Sequence, residues 1–174
     1  QQINYSVELN DGYSFPVKVY KNLLQSISAW EKYNVKILCI DGIVDKVSEI
    51  DKSFRKSSES GIPLVIAAQG FGEEVSATID TNDNQKKFSI MPIILEQELE
   101  NINVLNDIAT CAGGDVVSIL KGQMLIYTVY DEIPIVDWCR ITDKSLIIQN
   151  KSTRNTVSAH ANQLLEKREK MCQH

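Results

Sequence analysis

The chain has 174 residues, of which 43% are hydrophobic and 24% charged, and its formal net charge is -5. That length supports one sizeable core and is short for two ordinary domains. The acidic balance, without a Lys/Arg patch interleaved with aromatics, argues against nucleic acid as a main partner, and no apolar run is long enough to cross a bilayer.

No charged-then-apolar leader opens the chain. The first residue is Gln1 and not Met, and Ala159 to Cys172 reads as a helix that stops abruptly. Both features fit a piece of a longer protein. The four cysteines, Cys39, Cys111, Cys139 and Cys172, are scattered without a Cys-x-x-Cys pair. Cys39 and Cys111 sit in apolar patterns, as reduced core thiols of a cytosolic protein do. His160 and His174 match no metal-ligand spacing.

In chain order, Ser14 to Tyr20 reads as β structure. Val35-Lys-Ile-Leu-Cys-Ile40 is a short β-branched apolar run and predicts a buried strand, broken by Asp41 and Gly42. Ile43, Val47, Ile50 and Phe54 recur at helical spacing and predict an amphipathic helix to about Ser60. Gly61 is placed to end that helix in a left-handed cap, and Pro63 prevents its continuation. Leu64 to Ala68 is the next buried strand. Gln69-Gly-Phe-Gly72 is a turn, and Glu73 and Glu74 suit the positive end of a helix carrying Val75 and Ile79 on one side.

Lys87 to Ile94 reads as a strand in which Pro92 suggests a sheet edge or bulge. Glu96 to Ala112 is a helix with Leu99, Ile102, Leu105 and Ile108 inside. Gly113-Gly114 ends it, and Asp115 to Leu120 is a strand. Gln123 to Tyr130 and Trp138 to Gln149 read as further strands and hairpins, with Asp143-Lys144 turning the last one. Alternating strands and helices imply an α/β fold with a largely parallel sheet. The two flanks are expected to build a β subdomain that encloses this middle.

Candidate chemistry is sparse. Gln69-Gly-Phe-Gly72 precedes a helix as phosphate-binding turns do, but it lacks the full glycine fingerprint and any Lys-Ser/Thr pair. It reads as a plain turn. Asp41 ends a strand where α/β enzymes place catalytic carboxylates, but no partner is evident, and a turn or capping role is the simpler reading. Glu73 and Glu74 read as solvated partners of the helix dipole. No Gly-x-Ser-x-Gly elbow supports a serine hydrolase. The outer face of the helix ending at Ser60 mixes Asp45, Lys46, Glu49, Asp51, Lys52 and Arg55. It is either a plain solvated face or one wall of a groove that takes an extended peptide, and the pattern alone leaves both open.

Read together, Gly61-Ile-Pro-Leu-Val-Ile-Ala-Ala68, Glu74-Val-Ser-Ala-Thr-Ile79, Asp107-Ile-Ala-Thr110 and Gly113-Gly-Asp-Val-Val-Ser118 resemble the apical domain of the GroEL-like (group I) chaperonins. Asp11-Gly-Tyr-Ser-Phe-Pro16 is similar to that family's Gly-Tyr-x-x-Pro segment, and Asp41 matches its strand-ending aspartate. Arg140 to Asn150 looks like its closing hairpin, and Ala159 to Lys170 like the helix that follows. The resemblance implies that residues 1–174 form one apical domain of a longer subunit. The implied fold is a swivelling β/β/α domain with a parallel sheet core flanked by β hairpins. The implied role is capture of non-native polypeptides at the mouth of a homo-oligomeric ring, with a co-chaperonin as a further partner. The fragment is then not an enzyme and carries no cofactor. ATP and Mg belong to an equatorial domain elsewhere in the parent, and the cytoplasm (of the host, if the source is viral) is the expected setting.

Family members bind polypeptide with a bulky apolar groove. The positions that match it here are Tyr13, Val17 and Lys18 from the first segment, Asp51 and Phe54 from the first helix, and Ser76, Asp80 and Thr81 from the second. Tyr13, Val17 and Phe54 keep the apolar character. Lys18, Asp51, Ser76, Asp80 and Thr81 do not, and burying an unpaired aspartate against an apolar client is costly. The expected consequences are a more polar groove, contacts shifted to neighbours such as Ile50, and weak co-chaperonin binding. The family's Pro-Gly-Phe-Gly-Asp-Arg-Arg stretch is replaced by Ile94-Leu-Glu-Gln-Glu-Leu-Glu100, so salt bridges made there cannot be carried over. Such divergence fits a viral or otherwise atypical member. Two other classes stay open: a ring or scaffold domain that keeps the fold without client binding, and a small α/β enzyme domain.

Overall fold

A computed structural model describes residues 7–9, 12–19, 29–85, 90–95 and 99–150. In chain order the strands and helices are β1 (Val7–Leu9), β2 (Gly12–Pro16), β3 (Lys18–Val19), β4 (Trp30–Asp41), β5 (Ile43–Val44), α1 (Asp51–Ser60), β6 (Leu64–Ala68), β7 (Gly70–Phe71), α2 (Glu73–Gln85), β8 (Ile90–Ile94), α3 (Leu99–Ala112), β9 (Val117–Ser118), β10 (Ile135–Ile141) and β11 (Ser145–Gln149). Helix 159–172 and the outer parts of the segments expected at 87–94 and 96–112 lie outside the described residues.

The centre is parallel, as expected: β4 pairs with β6, and β6 with β8. Residues 35–40 of β4, all of β6 and residues 90–93 of β8 are buried on both faces, which accounts for their largely apolar runs. The flanks do not form a separate subdomain. β10 pairs antiparallel with β4, β11 with β10, and β2 with β11, so both flanks extend the same sheet. At the far end β3 pairs antiparallel with β8. Only Val17 separates β2 from β3, so the two ends of the sheet meet there and the sheet curls closed.

The long strand β4 changes character at Asn34, whose φ of 54° is the one positive value outside glycine among the described residues. Before it the side chains are largely exposed; after it, from Val35 to Ile40, they are buried. The curl encloses one apolar cluster, with Phe15, Ile37, Cys39, Val65, Ile93, Cys139, Ile141, Leu146 and Ile148 from the strands and Val104, Leu105, Ile108 and Ala112 from α3. The other face of the parallel strands carries a second cluster, in which Ile50 just before α1, Phe54 of α1 and Val75 and Ile79 of α2 cover Leu38, Ile40, Leu64 and Ile66. Among the described residues, one helix therefore serves one face and two serve the other.

Several expectations need correction. The helix expected from Ile43 begins only at Asp51, after a 3-10 turn at Val47–Glu49. Gly42, at φ 155°, redirects the chain, and Ile43–Val44 stay extended to pair in parallel with Gly70–Phe71. The same pairing makes the expected 69–72 turn partly a strand. The Glu49 carboxylate accepts hydrogen bonds from the amides of Asp45 and Lys46 at 3.1 and 2.8 Å, which sets the turn before the helix. Of the strand expected at 115–120 only Val117–Ser118 pairs, alongside Ile40–Asp41. The strand expected at 123–130 is instead two 3-10 turns, Leu125–Tyr127 and Tyr130–Glu132. Leu125, Tyr130 and Ile133 must reach the second cluster, and that spacing is incompatible with strand alternation.

Other local signals act as expected. Gly61 caps α1 in the left-handed conformation at φ 73°, donating its N–H to the Ser57 carbonyl at 3.0 Å. Pro92 lies in β8 opposite Ile66, on a strand that β3 pairs only at Ile93 and Ile94, so its missing N–H falls where β3 offers no partner. Asp143-Lys144 turns the β10–β11 hairpin, with Thr142 N–H donating to the Ser145 carbonyl at 2.9 Å.

Candidate functional site

The face carrying α1 and α2 is joined to the segment 119–134, which leaves β9 and runs back across the second cluster to β10. Two polar clamps hold this segment. The first lies at the C-terminal end of β4. The Asp41 carboxylate accepts from Gln69 Nε2 at 2.8 Å through one oxygen and from the Ser118 hydroxyl at 3.1 Å through the other. Ser118 N–H in turn donates to Gln123 Oε1 at 2.6 Å, which folds the start of the segment back on itself. One carboxylate thus ties together the ends of β4, β6 and β9. With both oxygens engaged by neutral groups, Asp41 is arranged as a structural tie.

The second clamp is Lys36, which is 4% exposed within the apolar run of β4. Its Nζ donates to the carbonyls of Tyr130 at 2.9 Å and Ile133 at 3.1 Å. The same nitrogen lies 4.4 Å from the centre of the Tyr130 ring. The Tyr130 hydroxyl reaches Ser60 Oγ at 2.9 Å, so the clamp extends to the last residue of α1. Burial holds the Lys36 pKa below the usual lysine value, and the nearby Asp131 carboxylate opposes that shift. Sequence reasoning missed this residue, although a lone charge inside Val35–Ile40 was a readable sign of a buried charge with dedicated partners.

Between the clamps the segment turns large apolar side chains outward. Leu120, Met124, Ile126, Tyr127 and Val129 are exposed, Met124 at 60% and Tyr127 at 75%. Leu125 alone between residues 120 and 129 is buried. The outer faces of α1 and α2 are more polar by contrast: Lys52, Arg55, Lys56 and Glu59 on one, and Glu73, Glu74 and Thr81 beside the small Ala77 on the other, are exposed. Arg55 pairs with Asp51 at 2.8 Å one helical turn away.

The eight residues matched to a polypeptide groove, and Ile50 beside them, are distributed unevenly. Tyr13 and Val17 are buried in the cluster inside the curl, whereas Ile50 and Phe54 are buried in the cluster under α1. The sheet therefore separates them. Ile50, expected to supply displaced apolar contacts, is 1% exposed. Lys18 is exposed opposite Ile94, and Thr81 is exposed with its hydroxyl donating to the Ala77 carbonyl at 2.9 Å. Asp51 and Asp80 are half-buried. Ser76 is 1% exposed, and among the described residues its hydroxyl has no hydrogen-bond partner.

Cys39, Cys111 and Cys139 are buried thiols. Burial, with a smaller contribution from Cys111, raises Cys39 to about 12; burial, with Asp107, raises Cys111 to about 12; burial raises Cys139 as well. Thiols so far from ionising are packing groups at neutral pH. Among the described residues no cluster of His, Cys, Asp and Glu is arranged to hold a metal, and no helix is long and apolar enough to cross a membrane.

No protein-family model matches the sequence, and no curated protein matches it. Among solved structures the chain is similar to the chaperonin gp146 from the bacteriophage EL 2 (Pseudomonas aeruginosa), crystallised in the presence of ATP-BeFx. The TM-score is 0.59 at 13% sequence identity, and the match covers 95% of this chain. This chain spans 35% of the length of that one. At this identity the likeness shows a chaperonin-like fold; what the fold does in this chain is a separate matter.

Proposed function

We propose that this chain is the polypeptide-binding apical domain of a chaperonin subunit, a swivelling unit that captures non-native proteins. The observation that carries the reading is the likeness of nearly the whole chain to part of a phage chaperonin, at 95% coverage. The collinear segments from Gly61 to Ser118 support it independently of that superposition. On this reading residues 1–174 are one domain of a longer, ring-forming, cytoplasmic protein, and ATP and Mg are handled by a part of the parent outside this chain. The fragment binds and does not catalyse.

The binding surface on this reading is the α1–α2 side. Asp51, Asp80, Thr81 and the outlying Lys18 are accessible, and Ile50 and Phe54 support the helices from beneath. Tyr13, Val17 and Ser76 contribute only through the core. Because the accessible positions are polar, co-chaperonin affinity is low. Fluorescence anisotropy with a labelled, carboxymethylated and permanently unfolded polypeptide tests the reading. The unfolded probe should bind without ATP, and the same protein in its native state should not. Equal binding of both forms, or of neither, contradicts it.

A second reading, a ring or scaffold domain with little client binding, is favoured by the charged outer face of α1, where Lys52, Arg55, Lys56 and Glu59 are exposed. Retained ring assembly of the parent with no response to the unfolded probe would select it.

A further inference from the structure

We propose that residues 120–133 form a strap that fills, as an internal stand-in, an apolar seat beside α1, and that an extended stretch of unfolded polypeptide takes this seat when the strap lifts. This rests on the polypeptide-binding reading and adds to it an autoinhibitory contact. On the α1–α2 side the accessible positions are polar, while Ile50 and Phe54 are buried. The apolar surface that a client needs is thus present in the second cluster, but covered.

The strap is tied to the rest of the domain at few points. Its bonded backbone N–H groups donate to carbonyls within the strap or to those of Ser118 and Ile119 at its root. Its regular structure is limited to the 3-10 turns Leu125–Tyr127 and Tyr130–Glu132. Among the described residues, three hydrogen bonds beyond the root reach from residues 120–133 to other elements. Two run from Lys36 Nζ to the carbonyls of Tyr130 and Ile133, at 2.9 and 3.1 Å, and the third joins the Tyr130 hydroxyl to Ser60 Oγ at 2.9 Å. Leu125, Tyr130 and Ile133 complete the attachment by filling the second cluster. A segment bonded mainly to itself can open locally while the sheet beneath stays folded.

The way the strap is held identifies its replacement. Apolar side chains enter the cluster, and main-chain carbonyls accept from Lys36. Every unfolded polypeptide offers both, whatever its sequence, which is the chemistry of extended-chain recognition. The Tyr130–Glu132 turn packs on α1, and the Leu125–Tyr127 turn packs on the Val47–Glu49 turn that leads into α1. Lifting the strap therefore bares the α1 side of the cluster, to which Ile50 and Phe54 belong. A closed strap lowers the apparent affinity for a client by the fraction of time the seat is open.

Substitutions on the strap test this, because they leave the seat itself unchanged. In the full 174-residue chain, hydrogen exchange at the amides of residues 127, 128, 132 and 133 should share one protection factor. It should lie at least about tenfold below that of the α3 amides and be insensitive to low urea. Leu125→Ala with Ile133→Ala should lower it about tenfold or more, and should tighten binding of a carboxymethylated, permanently unfolded polypeptide by a similar factor. Tyr130→Phe, which loses only the bond to Ser60, should shift both readings the same way by about threefold. This milder variant keeps the test valid if the double variant unfolds. Strap amides that exchange only together with α3 overturn the inference. So does loss of strap protection without tighter binding, or tighter binding without loss of strap protection. Each of these leaves the polypeptide-binding reading standing. Failure of the wild type and both variants to bind the unfolded probe overturns both.

Discussion

The two faces of the curled sheet are built on different plans. Inside the curl, strands from both ends of the chain and α3 form an apolar cluster whose polar atoms are nearly all backbone. On the opposite face the apolar layer is thinner, and what covers it is held by side-chain hydrogen bonds: Lys36 to two carbonyls, Asp41 to Gln69 and Ser118, and Tyr130 to Ser60. The first plan resists deformation, because every change of volume is felt by close-packed neighbours. The second fixes particular segments while leaving their outer side chains free for contact.

The sharpest contrast should come from deleting apolar volume. Ile108→Ala, inside the curl, should cost about 3–4 kcal/mol, whereas Met124→Ala on the exposed segment should cost less than about 0.5 kcal/mol, both read from urea unfolding. Comparable losses at the two sites would erase the distinction between the faces. Next in size is Lys36→Ala, which strands the Tyr130 and Ile133 carbonyls and should cost about 2–3 kcal/mol.

The pH dependence of Lys36 sharpens this point. Its folded pKa is lowered below the unfolded value of 10.5, so between the folded and unfolded pKa values the unfolded chain binds more protons. The contribution of Lys36 to stability is therefore least favourable at neutral pH and rises as pH climbs through that window. The wild-type advantage over Lys36→Met, measured as paired denaturation curves, should widen from pH 7 toward 10.5. A narrowing gap would mean that the ammonium is better accommodated folded than unfolded.

Gly42→Ala should cost about 2 kcal/mol, because φ of 155° is poorly tolerated with a side chain and a Cβ there would lie 2.8 Å from Ile119 Cβ. The smallest effect has the opposite sign. Ser76→Ala removes a buried hydroxyl without a partner among the described residues and raises helix propensity, so it should stabilise the domain by about 1 kcal/mol. Destabilisation by Ser76→Ala would mean that this hydroxyl has a partner in solution.

How much of this was legible in the sequence depended on how local each cause is. The parallel centre was readable because Val35 to Ile40 and Leu64 to Ala68 carry their burial in their composition. The ends of α1 and α3 were readable because Gly61 and Gly113 act on their own turns. The start of α1 was misread because Ile43 sits at helical spacing but is recruited by Gly70, which lies far along the chain. The segment 123–130 was misread because Leu125, Tyr130 and Ile133 answer to a tertiary surface and not to a local period. The clamps were missed for the same reason: Lys36 and Tyr130 are 94 positions apart, and Asp41 and Ser118 are 77 apart. The groove residues carried over by resemblance gave positions but not exposure, which is how Tyr13 and Val17 came to be grouped with Phe54 across a sheet.

The most direct test of the account is amide hydrogen exchange of the chain with and without a carboxymethylated, permanently unfolded polypeptide. The account predicts added protection on the α1–α2 face, and no change in β10, β11 or α3. Protection confined to the β10–β11 hairpin, or no protection anywhere, would contradict it.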